Sequence, residues 1–175
     1  MSLIAPYDES IFPMDLSKNP SQLTPTAFPA GIMASGRFPL RTTYQLSSAE
    51  LKALQTTAIQ LAPAPGVGFA LVAKSMVLQY KFLTTAYTIG NADNIFQIEY
   101  TGKTTNVLST LATGLVDQVV NEIVDAHKAV AGVIIAQSNR ENLGLEVKLT
   151  GTAAALTLGL GSVVLSLDYE VLKLV

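Results

Sequence analysis

The strongest constraint on the fold is an alternation of apolar and other residues in the last third of the chain. Apolar residues occupy every second position from 143 to 150, and again within 162–172. Because successive side chains of a β-strand point to opposite faces, a period of two buries one face of each strand. We therefore predict two long strands in this region. The apolar positions are Leu143, Leu145, Val147, Leu149, Val163, Leu165, Leu167, Tyr169 and Val171.

The rest of the chain beyond residue 36 is also mainly β in character. Residues 151–161 are expected to contain a turn or a bent strand, in which Gly159 and Gly161 can adopt a positive φ. The run from Pro63 to Gly68 (PAPGVG) predicts a hairpin-like reversal. Three earlier segments have the composition of strands: 37–46, 69–82 and 95–101.

From 107 to 130 the apolar period changes from two to that of a helix. We predict one amphipathic helix here, with Thr113 as a candidate N-cap and an apolar stripe wide enough to contact both its own core and another surface. Residues 47–54 stay open: Ser47 followed by Glu50 is typical of a helix start, but the same residues could equally enter a strand. The residues at helical spacing are Leu108, Leu111, Leu115, Val119 and Ile123.

The first 36 residues differ from the rest. All eight prolines lie within the first 65 residues, where each one fixes φ, removes a donor and biases the preceding residue towards extended geometry. Apolar side chains are spaced through this stretch, which is not typical of a free disordered tail. We predict an extended arm over 1–36 and a β-sandwich domain over 37–175. The arm residues expected to bind a partner are Ile4, Tyr7, Ile11, Phe12, Met14, Leu16, Leu23 and Phe28.

The composition favours protein partners over other ligands. Charged residues make up 14% of the chain, against about 25% in an average domain, which predicts a surface partly buried against other proteins. The net charge of −2 leaves no basic field for nucleic acid. No apolar stretch reaches the roughly 18 residues of a membrane helix, and the N-terminus (MSLIAPYDES) does not resemble a secretion signal. With no cysteine, disulfides and thiolate metal sites are excluded, and we expect no cofactor.

Residues that could perform catalysis are few. His127 is the only histidine and is predicted near the end of the helix, where it suits the helix dipole. Asp168 and Glu170 project to one face of the last strand, and paired carboxylates can act as acid and base in hydrolases. A solvated strand face explains this pair at least as well. We expect no catalytic and no metal-binding residue, while a carbohydrate-binding module or a carboxylate hydrolase is the alternative from another class.

From about Glu50 onwards the layout of strands, turns and one helix resembles small jelly-roll-like structural proteins of tailed bacteriophages. The segments that carry the resemblance are ELKALQTTAIQLAPAPGVGFALVAKSMVLQYKF, FQIEYTG, LSTLATGLVDQ, NLGLEVKLTG and LGLGSVVLSLDYEVL. The resemblance implies an antiparallel jelly roll or β-sandwich that forms a homotrimer on the virion.

The resemblance further implies a capsid decoration (cement) or head-fibre protein. The chain would then be a structural, non-enzymatic virion component on the capsid surface, assembled in the host cytoplasm. Its partners would be other copies of itself and the major capsid protein, which the arm would bind. A tail, neck or receptor-binding protein is the alternative within the same class.

Overall fold

In the computed structural model, residues 37–104, 106–127, 136–151 and 156–174 are described. They form ten β-strands, one α-helix and one short 3-10 helix at Gln137–Asn139. None of the helices in these ranges is long and apolar enough to span a membrane. The other elements are β1 (Arg37–Leu46), α1 (Ser48–Ala53), β2 (Ile59–Ala62), β3 (Phe69–Lys81), β4 (Tyr87–Thr88), β5 (Ile95–Tyr100), β6 (Asn106–Leu111), β7 (Glu122–His127), β8 (Leu145–Thr150), β9 (Thr157–Leu158) and β10 (Ser162–Lys173).

Eight of the strands form two four-stranded antiparallel sheets. Sheet A has the order β1-β10-β3-β7 and sheet B the order β2-β8-β5-β6, while β4 and β9 form a separate two-stranded ribbon. All the pairs are antiparallel. The prediction of a mainly β, antiparallel sandwich is confirmed.

The strand order is that of a jelly roll. The chain pairs like one long hairpin, with β5 against β6 at its tip, then β3 against β7, β2 against β8, and β1 against β10. Rolling this hairpin adds the pairs β10–β3 and β8–β5, which complete the two sheets. Consecutive sandwich strands therefore cross from one sheet to the other, except for β5 and β6, which are neighbours in sheet B. This is the two-sheet Greek-key arrangement of jelly rolls.

The core lies between the two sheets and includes most of the alternating residues identified above. From Val163 to Val171, every second residue of β10 is at most 8% exposed, and Leu145, Val147 and Leu149 of β8 are at most 1% exposed. Each such side chain contributes about 1.5 to 3 kcal/mol through burial. On β5, Phe96 is fully buried on the same inner face. Both long strands of the last third are confirmed.

The predicted helix over 107–130 is wrong for the described residues up to 127, and 128–130 lie outside the described ranges. This stretch forms β6, a series of turns, and β7. Gly114 has a φ of 84°, which interrupts a helix, and the backbones of β6 and β7 pair with β5 and β3 instead. The residues at helical spacing do not share a buried face, since Val119 and Ile123 are 69% and 66% exposed.

The α-helix of the described residues is α1, in the segment that the sequence left open. Ser47 accepts a hydrogen bond from the backbone N–H of Glu50, and the Glu50 carboxylate accepts one from the backbone N–H of Ser47 at 2.8 Å. This reciprocal capping box satisfies donors that the first turn would otherwise leave unpaired. The Ser47 side chain is also the main cause of a lowered pKa at Glu50. Leu51, fully buried, anchors the helix to the core.

The PAPGVG segment reverses the chain, but not as a hairpin. β2 belongs to sheet B and β3 to sheet A, so the segment bridges the two layers. Gly66 and Gly68 have φ values of 101° and 80°. These conformations are natural for glycine and strained for other residues.

Candidate interaction surface at one end of the sandwich

The topology places the loops in two groups. Four connections meet at one end of the sandwich, here called the four-loop end: 47–58, 82–94, 112–121 and, of the last one, the described residues 151 and 156–161. The opposite end carries the described residues 63–68, 101–104 and 136–144 of the other connections. Arg37 pairs with Leu172 near the end of β10, so the chain enters β1 at this opposite end. The two ends are therefore separated by the full length of β1.

Hydrogen bonds tie the connections of the four-loop end to one another. Each of them is bonded to at least one other by a backbone or side-chain donor, so the end is a cross-linked unit and not a set of independent loops. The bonds are Ser48 Oγ to Gly159 O (2.9 Å), Tyr87 N to Val116 O (3.1 Å), Ala112 N to Asn94 O (2.9 Å), Leu160 N to Thr85 O (3.1 Å) and Phe82 N to Asn121 Oδ1 (3.0 Å).

Two buried tyrosines support these loops from below. The rings of Tyr80 and Tyr87 meet edge to face with their centroids 6.2 Å apart, and the Tyr87 hydroxyl donates to the carbonyl of Gly161 at 2.6 Å. Burial raises the pKa of both phenols. Gly159 and Gly161 are able to adopt a positive φ, but neither does so in the structure. They are glycines because a Cβ at Gly159 would overlap the Tyr87 ring, and one at Gly161 would overlap Tyr80.

Above this buried layer, the four-loop end exposes large apolar side chains. Of the eight exposed large apolar residues among the described positions, seven lie at this end, and Val67 is at the other. Leu111, at the end of β6, flanks the other six, which we call the apolar end surface. These six are each more than half exposed: Leu83, Val119, Val120, Ile123, Leu158 and Leu160.

Strand register places these side chains side by side. β10, β3 and β7 are neighbours in sheet A. The register pairs Lys81 with Ser162 and Tyr80 with Glu122, so its continuation past the strand ends sets Leu160 and Val119 opposite Leu83. Because neighbouring strands lie about 4.8 Å apart, the backbones at these three positions form a row about 10 Å across. Contiguous exposed apolar patches of this kind mark sites of association with another surface.

Sequence reasoning missed these residues as a group. It placed Val119 and Ile123 on a helical stripe, from which it nevertheless inferred contact with another surface. Leu83, Leu158 and Leu160 were not singled out. The feature of the sequence that could have identified them is the occurrence of large apolar residues inside segments predicted to be loops or turns.

The structure brings the paired carboxylates of β10 to one face, as predicted, and pairs both of them with cations. Asp168 receives two hydrogen bonds from Arg41, at 2.6 and 2.9 Å, and one from Ser75 at 2.9 Å. Glu170 lies 2.9 Å from the Lys74 ammonium group. The bond from Arg41 is the main cause of a lowered pKa at Asp168. A general acid needs the opposite shift, so Asp168 is better explained as the partner of Arg41 in an ion pair on the strand face.

The outer face of sheet B holds a buried acid, Glu99, on β5. Glu99 is 3% exposed. Its carboxylate accepts a hydrogen bond from Gln97 at 3.1 Å and lies 3.9 Å from the Lys148 ammonium group. Burial raises the pKa of Glu99, and Lys148 opposes this shift.

We expect Glu99→Gln to raise the melting temperature at pH 7 by about 3 °C. Because the folded-state pKa lies above the ordinary value of 4.5, ionised Glu99 destabilises the fold at neutral pH. That penalty disappears as the pH falls through the folded-state pKa. Thermal unfolding over a pH series should therefore show the gain shrinking towards pH 4.5. Lys148→Met, which leaves the ionised Glu99 without its cation, should instead lower the melting temperature at pH 7. A gain from Glu99→Gln that is independent of pH would contradict the assignment.

The remaining predicted site residues either lie outside the described ranges or lie in a different element from the one predicted. The arm residues Ile4, Tyr7, Ile11, Phe12, Met14, Leu16, Leu23 and Phe28 lie outside the described residues. His127 ends strand β7, opposite Ser75, and not a helix as predicted. Within the described ranges, no group of three or more His, Asp or Glu side chains could hold a metal ion.

No protein-family model matches the sequence, and no curated protein matches it. Among solved structures, the chain is similar to one described as the Cyanophage Pam1 capsid asymmetric unit, with a TM-score of 0.44 and 12% identity over 77% of this chain and 84% of that chain. It is also similar to the capsid of Ralstonia phage GP4, with a TM-score of 0.40 and 18% identity over 81% of this chain and 87% of that chain.

Proposed function

We propose that this protein is a structural component of a bacteriophage virion: a trimeric capsid decoration (cement) protein without catalytic activity. In this proposal its N-terminal arm, residues 1–36, binds the major capsid lattice, and its jelly roll associates with further copies. The protein then resides on the capsid surface after assembly in the host cytoplasm.

The apolar end surface is the observation that carries the proposal. A soluble monomer would leave six large apolar side chains, all more than half exposed, in water at one end. The low charged fraction of 14% likewise favours burial of part of the surface against other proteins. Jelly rolls occur in viral capsid and lectin domains, so the fold permits the role without assigning it.

The alternative as a carbohydrate-binding module or carboxylate hydrolase receives less support from the geometry. It requires carboxylates available to a ligand, and those of Asp168 and Glu170 are engaged by Arg41 and Lys74. A tail, neck or receptor-binding protein would need the same associating surface. A map of the particle at low resolution separates that possibility from capsid decoration by the position of the density.

We expect size-exclusion chromatography with light scattering to report three copies of 18.5 kDa, and a monomer at all concentrations would refute the trimer.

Deleting residues 1–36 should leave the circular dichroism spectrum of the β domain intact. The same deletion should abolish co-sedimentation with capsids of the phage that encodes the chain. Global unfolding of the truncated chain would contradict the division into arm and domain.

A further inference from the structure

We propose that the apolar end surface of each copy is the seat for the N-terminal arm of a neighbouring copy. The inference rests on the proposed function and extends it, because it gives the arm a second role in joining the copies to one another. It commits to one occupant, residues 1–36 of another chain.

The arm joins the domain at the end of the sandwich opposite the four-loop end. Arg37, the first described residue, pairs with Leu172 at the end opposite the four loops. The apolar end surface lies at the other end of β1, ten residues further along. At about 3.3 Å per residue, this separates the root of the arm from the surface on the same copy by about 33 Å. An arm and an apolar seat at opposite ends of one body are arranged for head-to-tail contact between copies.

The arm loses more backbone entropy when it binds the apolar end surface of its own copy than when it binds that of a neighbour. To reach the surface of its own copy, the arm would have to reverse near residue 36 and follow the whole length of β1. At least about ten residues would then be ordered before the first apolar contact, at about 1 to 2 kcal/mol of backbone entropy each. A neighbour that presents its four-loop end to the root of the arm needs far less ordered chain. Head-to-tail interfaces of this kind close into rings when the rotation between copies permits, as a trimer requires.

The length of the arm and its apolar side chains fit the apolar end surface of a neighbour. Thirty-six extended residues reach up to about 120 Å, so the arm can span a neighbour and still extend beyond it. The row formed by Leu160, Leu83 and Val119 is about 10 Å across and accommodates two or three apolar side chains of an extended segment. The arm offers more than that, spaced from Ile4 to Met33. The remaining ones stay available for the capsid lattice.

The absence of cysteine in the chain makes a direct test clean. The variant Leu83→Cys is labelled with a benzophenone maleimide and refolded with an equal amount of ¹⁵N-labelled, unmodified full-length chain. After irradiation, mass spectrometry identifies the cross-linked peptides. We expect peptides from residues 1–36, about half of them carrying ¹⁵N. Ser109→Cys is the matched control, because Ser109 is exposed in the middle of β6, away from both ends of the sandwich, and it should give markedly fewer arm peptides than Leu83→Cys.

Each other outcome overturns the proposal. Arm peptides without ¹⁵N would mean that each arm lies on its own copy. Cross-links that join two four-loop ends would mean that the surface packs against itself. No cross-link to residues 1–36 would mean that the arm lies elsewhere. The molecular mass of the same sample separates this inference from the proposed function: a trimer without arm cross-links refutes only the inference, whereas a monomer refutes both.

A second pair of full-length variants tests the energetics. Leu83→Asp places a charge in the row, and we expect it to weaken association of the copies by roughly tenfold or more in analytical ultracentrifugation. Ser109→Asp introduces the same charge at an exposed position in the middle of β6, away from both ends of the sandwich, and should leave association unchanged. Equal effects of the two variants would contradict the proposal. Both substitutions lie on exposed side chains, so each fold should persist.

Discussion

Gly161→Ala should lower the free energy of unfolding by about 3 kcal/mol. A Cβ at this position would lie 2.5 Å from the carbonyl oxygen of Lys81 and 2.5 Å from Cε2 of Tyr80. Neither neighbour can yield easily, because Lys81 is paired with Ser162 and the Tyr80 ring is 1% exposed. Urea unfolding monitored by circular dichroism measures the loss.

Gly102→Ala is the matched control for this variant. Gly102 has a φ of 71°, and a Cβ there meets nothing within 4 Å. Its substitution should cost only about 1 kcal/mol, the conformational penalty for a side chain in the left-handed region. If both variants lose the same stability, the close contact at Gly161 is not the reason for glycine there. The result also bears on function, since Gly161 lies directly beneath the apolar end surface.

Tyr87→Ala should destabilise the chain by about 4 kcal/mol, the range observed when a large buried aromatic is truncated. Tyr87 is 2% exposed, packs edge to face on Tyr80, and donates its hydroxyl to Gly161. Tyr87→Phe, which keeps the ring and loses only the hydroxyl, should cost about 1 kcal/mol. The graded series separates the packing of the ring from its hydrogen bond.

Hydrogen exchange adds a local readout for Tyr87. Because Tyr87 lies among connections that are bonded to one another, its truncation should speed amide exchange in 112–121 and 156–161 more than in β8. Tyr44→Ala serves as the control, since Tyr44 is only half-buried and bonds to Glu50 at 2.8 Å. It should cost about 1 to 2 kcal/mol and leave those connections protected. Uniform acceleration in both variants would contradict a local role for Tyr87.

Particular segments show why the strands of the last third could be predicted from the sequence and why the predicted helix was wrong. In β8 and β10 every buried position sits on one face, so the period of two was sufficient to predict the strands. In 107–127 the spacing of Leu108, Leu115 and Val119 imitated a helix because one strand, a turn and another strand happened to carry apolar residues at those intervals. Gly114 was the local sign against a helix, and pairing with β3 and β5 decided the outcome.

The candidate site was less predictable than the fold. Nothing in the periodicity of the chain shows that Leu83, Val119 and Leu160 come to lie on adjacent segments, because they are far apart in sequence. Their adjacency follows from the register of β3 with β7 and β10. The glycines at 159 and 161 were recognisable as special, but their reason is the two tyrosine rings that the fold brings against them.

The sequence by itself determined that the described body is mainly β, because the alternation of apolar side chains is a local property of each strand. It also determined the low charge and the distinct proline-containing N-terminal segment. Only the tertiary structure decided which strands pair, that Asp168 and Glu170 face cations, and that the exposed apolar residues gather at one end. Those features depend on contacts between distant residues, and a period along the chain carries no information about them.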